Sequence, residues 1–290
     1  MTLGKKGTWA ACTFVGFLIV AAGVALDRAL GTRLAFTLAA LAVATVYLGW
    51  SFGLAMPLLR TRVDRIRQPG SFSLTFDDGP DPRNTAEISE LLALRDHRAT
   101  FFVLGAAARR HPELVAKVHD DGHEIAVHGY DHRLLAFSLP SVVRRQVEET
   151  EAAVLAATGR PPVRLFRAPH GVRSPWLATT LKRRGYRLCG WDGRIFDTAN
   201  PGIPTIVARV RHMLAAGAVI LLHDGDGSGK GASRRQTVDA LPAILDDAEA
   251  RGLHSIRLSA LLSTGEGSSV PPREPPRGRR RSASERETPA

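Results

Sequence analysis

Hydrophobic and polar positions divide the chain into three stretches. In the first, residues 8–26 (TWAACTFVGFLIVAAGVAL) and 34–59 (LAFTLAALAVATVYLGWSFGLAMPLL) contain no Asp, Glu, Lys or Arg. A bilayer-spanning helix needs ~20 such residues, within a range of ~17–25, so both runs predict transmembrane helices. Trp9, Tyr47 and Trp50 sit where interfacial anchors belong. A cleaved signal peptide, with Lys5 and Lys6 as its basic start, would account for the first run only, and no small-x-small cleavage site follows it. The simpler expectation for residues 1–67 is a hairpin of two helices, joined by DRALGTR and followed by a basic juxtamembrane segment, in a multi-pass protein of the cell membrane. Lys and Arg flank both outer ends, but Arg28 and Arg33 lie in the connecting loop, so the face carrying the rest of the chain stays open.

From residue 71 the pattern changes to strand, loop and helix in repetition. Short apolar or β-branched runs occur at 71–76, 99–104, 123–127, 163–166, 187–191, 218–222 and 254–258. Helix-length stretches with apolar positions three and four apart lie between most of them, at 84–96, 111–119, 141–157, 175–184, 204–215 and 236–251. Asn84 and Glu87 have the spacing of a capping box, and Pro112 suits a first helical turn. Seven strands alternating with helices predict an α/β fold with a parallel sheet, doubly wound or closed into a barrel. No glycine-rich phosphate loop follows the first strand, which argues against a nucleotide site. Residues 263–290 turn rich in Ser, Gly, Pro and Arg and read as a disordered basic tail, leaving 68–262 as the folded domain.

The apolar fraction of 44% and charged fraction of 23% are those of a globular protein. Cys12 and Cys189 are too few for a disulfide framework. A net charge of +11 points first toward nucleic acid. Counted by segment, however, residues 68–262 hold 25 basic and 22 acidic side chains. The excess lies in 1–33, 60–67 and 271–290, each at +3. With the folded stretch nearly balanced, no nucleic-acid partner is expected, and no protein partner is inferred.

Polar clusters fall where the strands end. Asp77 and Asp78 follow the first, His128 and His132 the third, Arg167 the fourth, Asp197 the fifth, and His223 with Asp224 the sixth. Active sites of βα barrels gather on that edge. Two imidazoles four residues apart plus one carboxylate, from Asp77 or Asp78, make a three-ligand metal set that keeps a position open, which is the catalytic style of site. The other carboxylate would act as base toward water, with Arg167 keeping it ionised. His223 would donate a proton to a leaving group, oriented by Asp197. The chemistry expected is metal-assisted hydrolysis.

These segments resemble a known family. TFDDGP (75–80), HGYDH (128–132), RAPHG (167–171), WDGRIFDT (191–198) and ILLHD (220–224) are similar, in order and spacing, to the five motifs of the polysaccharide deacetylases, the NodB-homology domain of carbohydrate esterase family four. The resemblance covers roughly residues 70–262. It implies a distorted (β/α)7 barrel that removes N-acetyl groups from amino sugars with one divalent ion, commonly Zn2+, with Co2+, Ni2+ and Mn2+ as alternatives. By position it implies Asp77 as base, Asp78, His128 and His132 as metal ligands, and Arg167 as the residue holding the base. It further implies His223 as general acid with Asp197 orienting it, Leu221 lining the acetyl pocket, and the His170 backbone N–H in the oxyanion site.

Three positions depart from the family pattern. Gly129 stands where Ser or Thr is usual, His170 replaces an aromatic residue, and Thr198 replaces a Trp. None removes a ligand or the base. The function expected is a membrane-anchored deacetylase of an N-acetylated cell-envelope glycan such as peptidoglycan. Two other readings stay open: a deacetylase or deformylase of a lipid-linked (polyprenyl) amino sugar, and a catalytically silent glycan-binding relic. A metal-dependent phosphodiesterase would call for more carboxylate ligands than these strand ends offer.

Overall fold

A computed structural model describes residues 41–45, 69–193, 195–227 and 231–263. Apart from a helical piece at 41–45, the elements run β1 (Ser71–Asp77), α1 (Thr85–Leu94), β2 (Ala99–Val103), α2 (Gly105–Arg110), α3 (Pro112–Asp120) and β3 (Glu124–Val127). They continue with α4 (Pro140–Thr158), β4 (Leu165–Phe166), α5 (Pro175–Arg183), β5 (Arg187–Leu188), α6 (Ile203–Met213), β6 (Val219–His223), α7 (Arg235–Ala250), β7 (His254–Ser255) and α8 (Leu258–Ser263). Among the described residues, seven parallel strands form one sheet in the order β5-β4-β3-β2-β1-β6. The short β7 pairs with the start of β1, through Ser71 and Phe72. The fold is a parallel half-barrel rather than a flat doubly wound sheet.

Strand alternation explains how the layers fill. Phe72, Leu74 and Phe76 of β1 and Ile220 and Leu222 of β6 pack outward with Ile88, Leu92, Ile206, Leu241 and Ile244 of the helices. Burying one such side chain stabilises the fold by ~1.5–3 kcal/mol. The alternate positions Ser73, Thr75 and Asp77 point the other way and are buried inside the barrel. There Phe102, Ala126, Leu165, Cys189 and Val219 meet Leu258, Leu261 and Leu262 of α8, which plugs the N-terminal end. Two hydrogen bonds seat the plug: Leu258 N–H donates to Thr100 Oγ1 at 2.8 Å and Ser259 N–H to Glu124 Oε2 at 3.1 Å.

The two sheet ends, β5 and β6, are joined by one residue instead of a strand ladder. Asp192 N–H donates to Val219 O at 2.8 Å, and Asp192 Oδ2 accepts from Val219 N–H at 2.9 Å. A side-chain carboxylate thus stands in for a missing backbone acceptor at this seam.

Several expectations need correction. The multi-pass localisation is contradicted: among the described residues no helix is long and apolar enough to cross a membrane. Of the two runs behind that expectation, 8–26 lies outside the described residues and 34–59 is described only at 41–45. The tail beyond residue 263 also lies outside the described residues. The capping box at α1 does not form, and Asn84 makes no side-chain cap bond. Its Nδ2 donates to Asp224 O at 3.2 Å, while Glu87 pairs with Arg235. Strands expected at 187–191 and 254–258 close after two residues, at Leu188 and Ser255. Helix α2 is too short to show a period, and α8 begins inside a run that reads as strand.

Candidate active site

All five polar clusters meet at the C-terminal edge of the sheet. The residue just after β1, Asp78, adopts a left-handed backbone with φ 76°. Asp78 Oδ1 lies 3.2 Å from His128 Nε2 and 3.1 Å from His132 Nε2. His128 is buried, and its Nδ1 lies 2.9 Å from the carbonyl oxygen of Arg167. A carbonyl only accepts, so Nδ1 carries the hydrogen and Nε2 is the ring atom turned to Asp78. Asp78 Oδ1 is buried without a geometric hydrogen bond although both imidazoles face it. Burial by itself would raise the Asp78 pKa, but the two imidazoles hold it well below the usual carboxylate range.

A carboxylate oxygen and two imidazole nitrogens drawn this close need a proton or a cation among them. One carboxylate oxygen and two imidazole nitrogens, all within 4.8 Å of one another, suit a divalent ion with a coordination position to spare. Asp78, His128 and His132 therefore fit a metal. His132 also has a left-handed backbone, with φ 59°.

Asp77 lies beside this triad on the barrel interior. Its Oδ1 accepts from Arg167 Nη1 at 2.8 Å, and its Oδ2 is 3.8 Å from His128 Nε2. Arg167 is fully buried with its guanidinium 4.1 Å from the Phe102 ring centroid. Arg167 also donates through Nη1 to Thr75 Oγ1 at 2.8 Å and through Nη2 to Gly190 O at 3.1 Å. An ion pair so enclosed fixes the carboxylate in one orientation.

His223 faces Asp77 across adjacent strands, its direct Cα partner in the β1–β6 register. Its Nδ1 is 2.8 Å from Asp197 Oδ1, while Asp197 Oδ2 accepts from His223 N–H at 2.8 Å and Thr237 Oγ1 at 3.0 Å. Burial alone would push the imidazole pKa down; the Asp197 carboxylate, aided by Asp78 and Asp77, carries it up to about 9. Asp197 itself is 1% exposed, and against its burial the His223 charge lowers its pKa. Thr198 next to it is exposed. Leu221 is buried on β6 and shares the inner face with His223, two residues on. His170 sits at the exposed rim with φ 58°, its ring centroid 4.3 Å from that of His132 and its Nε2 3.1 Å from His132 O.

Other contributors carry weaker sequence signals. Asp224, beside His223, is 1% exposed and accepts from Thr85 Oγ1 at 2.6 Å. Burial pushes its carboxyl up to about 7, with the Asp78 and Asp77 charges adding to the rise. The Asp224-Gly225-Asp226-Gly227 turn closes over Asp78: a Cβ on Gly225 would fall 2.1 Å from Asp78 O, and one on Gly227 2.8 Å from Asp78 Cγ. Its two glycines are the signal, because only they let the backbone approach that closely. Among the described non-glycine residues, six have positive φ, and Asp78, His132, His170 and Phe196 are four of them, all on this edge. Such strain collects at functional sites.

Known proteins are similar to this chain in sequence and fold. The sequence model of the polysaccharide deacetylase family matches residues 64–189. A chitooligosaccharide deacetylase of Sinorhizobium fredii is 38% identical over 187 residues, covering 63% of this chain and 87% of the relative. A peptidoglycan-N-acetylglucosamine deacetylase of Bacillus cereus is 35% identical over 192 residues, covering 66% of this chain and 87% of the relative. The solved structure of a family 4 carbohydrate esterase from Streptomyces lividans, in complex with acetate, superposes with a TM-score of 0.58 at 31% identity, over 64% of this chain and 91% of that one. The chain belongs to the polysaccharide deacetylase family, whose members hydrolyse the N-acetyl amide bonds of carbohydrates.

Proposed function

We propose that the domain removes acetyl groups from N-acetylglucosamine units of an envelope glycan, with a single Zn2+ held by Asp78, His128 and His132. Chitooligosaccharide and peptidoglycan, named for the two relatives, share that unit. A bound ion of this kind supplies Lewis-acid polarisation of the amide carbonyl and makes water more acidic. The observation that carries the reading is the facing of Asp77, held by Arg167, and His223, held by Asp197, on neighbouring strands beside the ligand triad.

Asp77, oriented by Arg167, accepts the proton of the attacking water. His223, with Nδ1–H held by Asp197, delivers the Nε2 proton to the departing amine. With its pKa raised to about 9, His223 carries that proton at neutral pH. Leu221 provides an apolar wall for the acetyl methyl, and the His170 N–H supports the developing oxyanion. The products are acetate and a free amino sugar.

The test is acetate release by the zinc-reconstituted protein from chitooligosaccharides and from peptidoglycan fragments. Asp77→Asn and His223→Ala should each lower kcat by ~100-fold or more, since a positioned acid or base is worth ~10²–10⁴. No release from either substrate by metal-loaded protein would sink the proposal.

A further inference from the structure

The segment carrying two of the three ligands is clamped from both sides. Gly105 N–H donates to Gly129 O at 3.0 Å and Ala106 N–H to Tyr130 O at 2.8 Å, so the first amides of α2 take up the carbonyls of the loop. The amides of the loop point the opposite way, to α4. Tyr130 N–H donates to Gln146 Oε1 at 2.7 Å, and Asp131 N–H reaches the same atom at 3.3 Å. Gln146 is 1% exposed. Its Nε2 is buried and makes no hydrogen bond of ordinary geometry, whereas its Oε1 meets both loop amides.

Gly129 completes the arrangement. Its φ of +86° lies in the region that side chains avoid, and a Cβ there would come within 3.3 Å of Gln146 Oε1. The left-handed turn at Gly129 is followed directly by the two amides that Gln146 accepts. A hydroxyl residue at 129, which the family resemblance leads one to expect, would crowd the acceptor and strain the turn.

We propose that Gln146 is the positioning residue of the metal-ligand loop, holding from α4 the two amides that lie between His128 and His132, and that Gly129 and Gln146 work as a pair. This rests on reading Asp78, His128 and His132 as metal ligands. The physical reason is the placement of Tyr130 and Asp131 between the two histidines. A buried N–H without an acceptor costs ~1–3 kcal/mol, so without Gln146 the loop turns toward water and takes the imidazoles with it.

The experiment is a Co2+ titration of metal-free wild type, Gln146→Leu and Gln146→Glu, reading the dissociation constant and the visible absorption of the bound ion. Loss of an outer-shell support typically weakens metal binding ~10–100-fold. Gln146→Leu should bind at least about tenfold more weakly with an altered spectrum, while Gln146→Glu, which keeps an acceptor oxygen, should stay within about threefold of wild type. Equal affinity and an identical spectrum in Gln146→Leu would overturn the proposal. Independently of any variant, the Tyr130 and Asp131 amides of the metal-free wild type should exchange slowly with solvent. Exchange at the rate of an open loop overturns it as well. A wild type that binds no Co2+ defeats the ligand assignment, and the amide exchange then still decides whether Gln146 braces the loop.

Discussion

Replacing Asp197 by Asn should abolish the proton-holding power of His223. In metal-free protein the imidazole stands at about 9 against an ordinary 6.5. At 1.36 kcal/mol per pKa unit, that difference corresponds to roughly 3 kcal/mol favouring the protonated form. Burial acts in the other direction, and the Asp197 carboxylate is the main force overcoming it. Asn fills the same space and still hydrogen-bonds Nδ1, but it removes the charge. The His223 pKa should then fall by at least ~1–2 units, toward or below its ordinary value.

The sign of the accompanying stability change follows from linkage. A histidine whose folded pKa is raised contributes its full stability below about 6.5 and loses it as pH climbs through about 9. The stability gap between wild type and Asp197→Asn should therefore be widest near pH 6 and shrink toward pH 10, by an amount on the order of 2–3 kcal/mol. The assays are an NMR titration of the His223 ring and urea midpoints across that range. In the active enzyme, the alkaline limb of the kcat/KM profile should move to lower pH in the variant. An unchanged His223 titration in Asp197→Asn would refute the assignment of Asp197 as the source of the shift.

Three further outcomes are expected. Arg167→Met leaves the Asp77 carboxylate buried without its cation and should destabilise the fold by ~3–5 kcal/mol, read from urea unfolding, because a broken buried pair strands a charge. Gly225→Ala places a methyl 2.1 Å from Asp78 O, so the backbone must shift; Co2+ affinity should drop at least tenfold by titration, on the order of an outer-shell loss. Asp192→Ala removes the acceptor of the Val219 N–H at the β5–β6 seam and should cost ~1–3 kcal/mol, with faster exchange of the Val219 amide than of the Leu221 amide.

Much of the fold is legible in local patterning. The runs at 71–76 and 218–222 appear as β1 and β6, because a strand buried on both faces must be continuously apolar or small. The helix starts at Pro140 and Pro175 and the glycine end at Gly159 also follow from local chemistry. Other features have no local signature. Asn84 is a good capping residue by type, yet its amide serves Asp224, 140 positions away. Only the first residue of α8, Leu258, falls in the expected strand run, and Leu258, Leu261 and Leu262 are apolar for a tertiary reason, the filling of the barrel floor. The long uncharged runs before residue 60 raised an expectation of membrane spans that no described helix meets.

The chemistry divides in the same way. Residue types and their order along the chain announce a carboxylate pair, a two-histidine loop, an arginine and a terminal histidine at successive strand ends, and the regular alternation of strands and helices sends them to one edge. Residue type and spacing leave Asp77 and Asp78 interchangeable, and only the family resemblance tells them apart in the sequence. The tertiary structure separates them: Asp78 turns left-handed toward two imidazoles, while Asp77 stays in the strand and meets Arg167. Gln146 is likewise an unremarked glutamine in an amphipathic helix until packing sets its oxygen against two loop amides. Patterning reports which face of an element is buried, a local property of period and hydrophobicity. The orientation of a single polar atom depends on what faces it from distant parts of the chain, and that is decided only when the barrel packs.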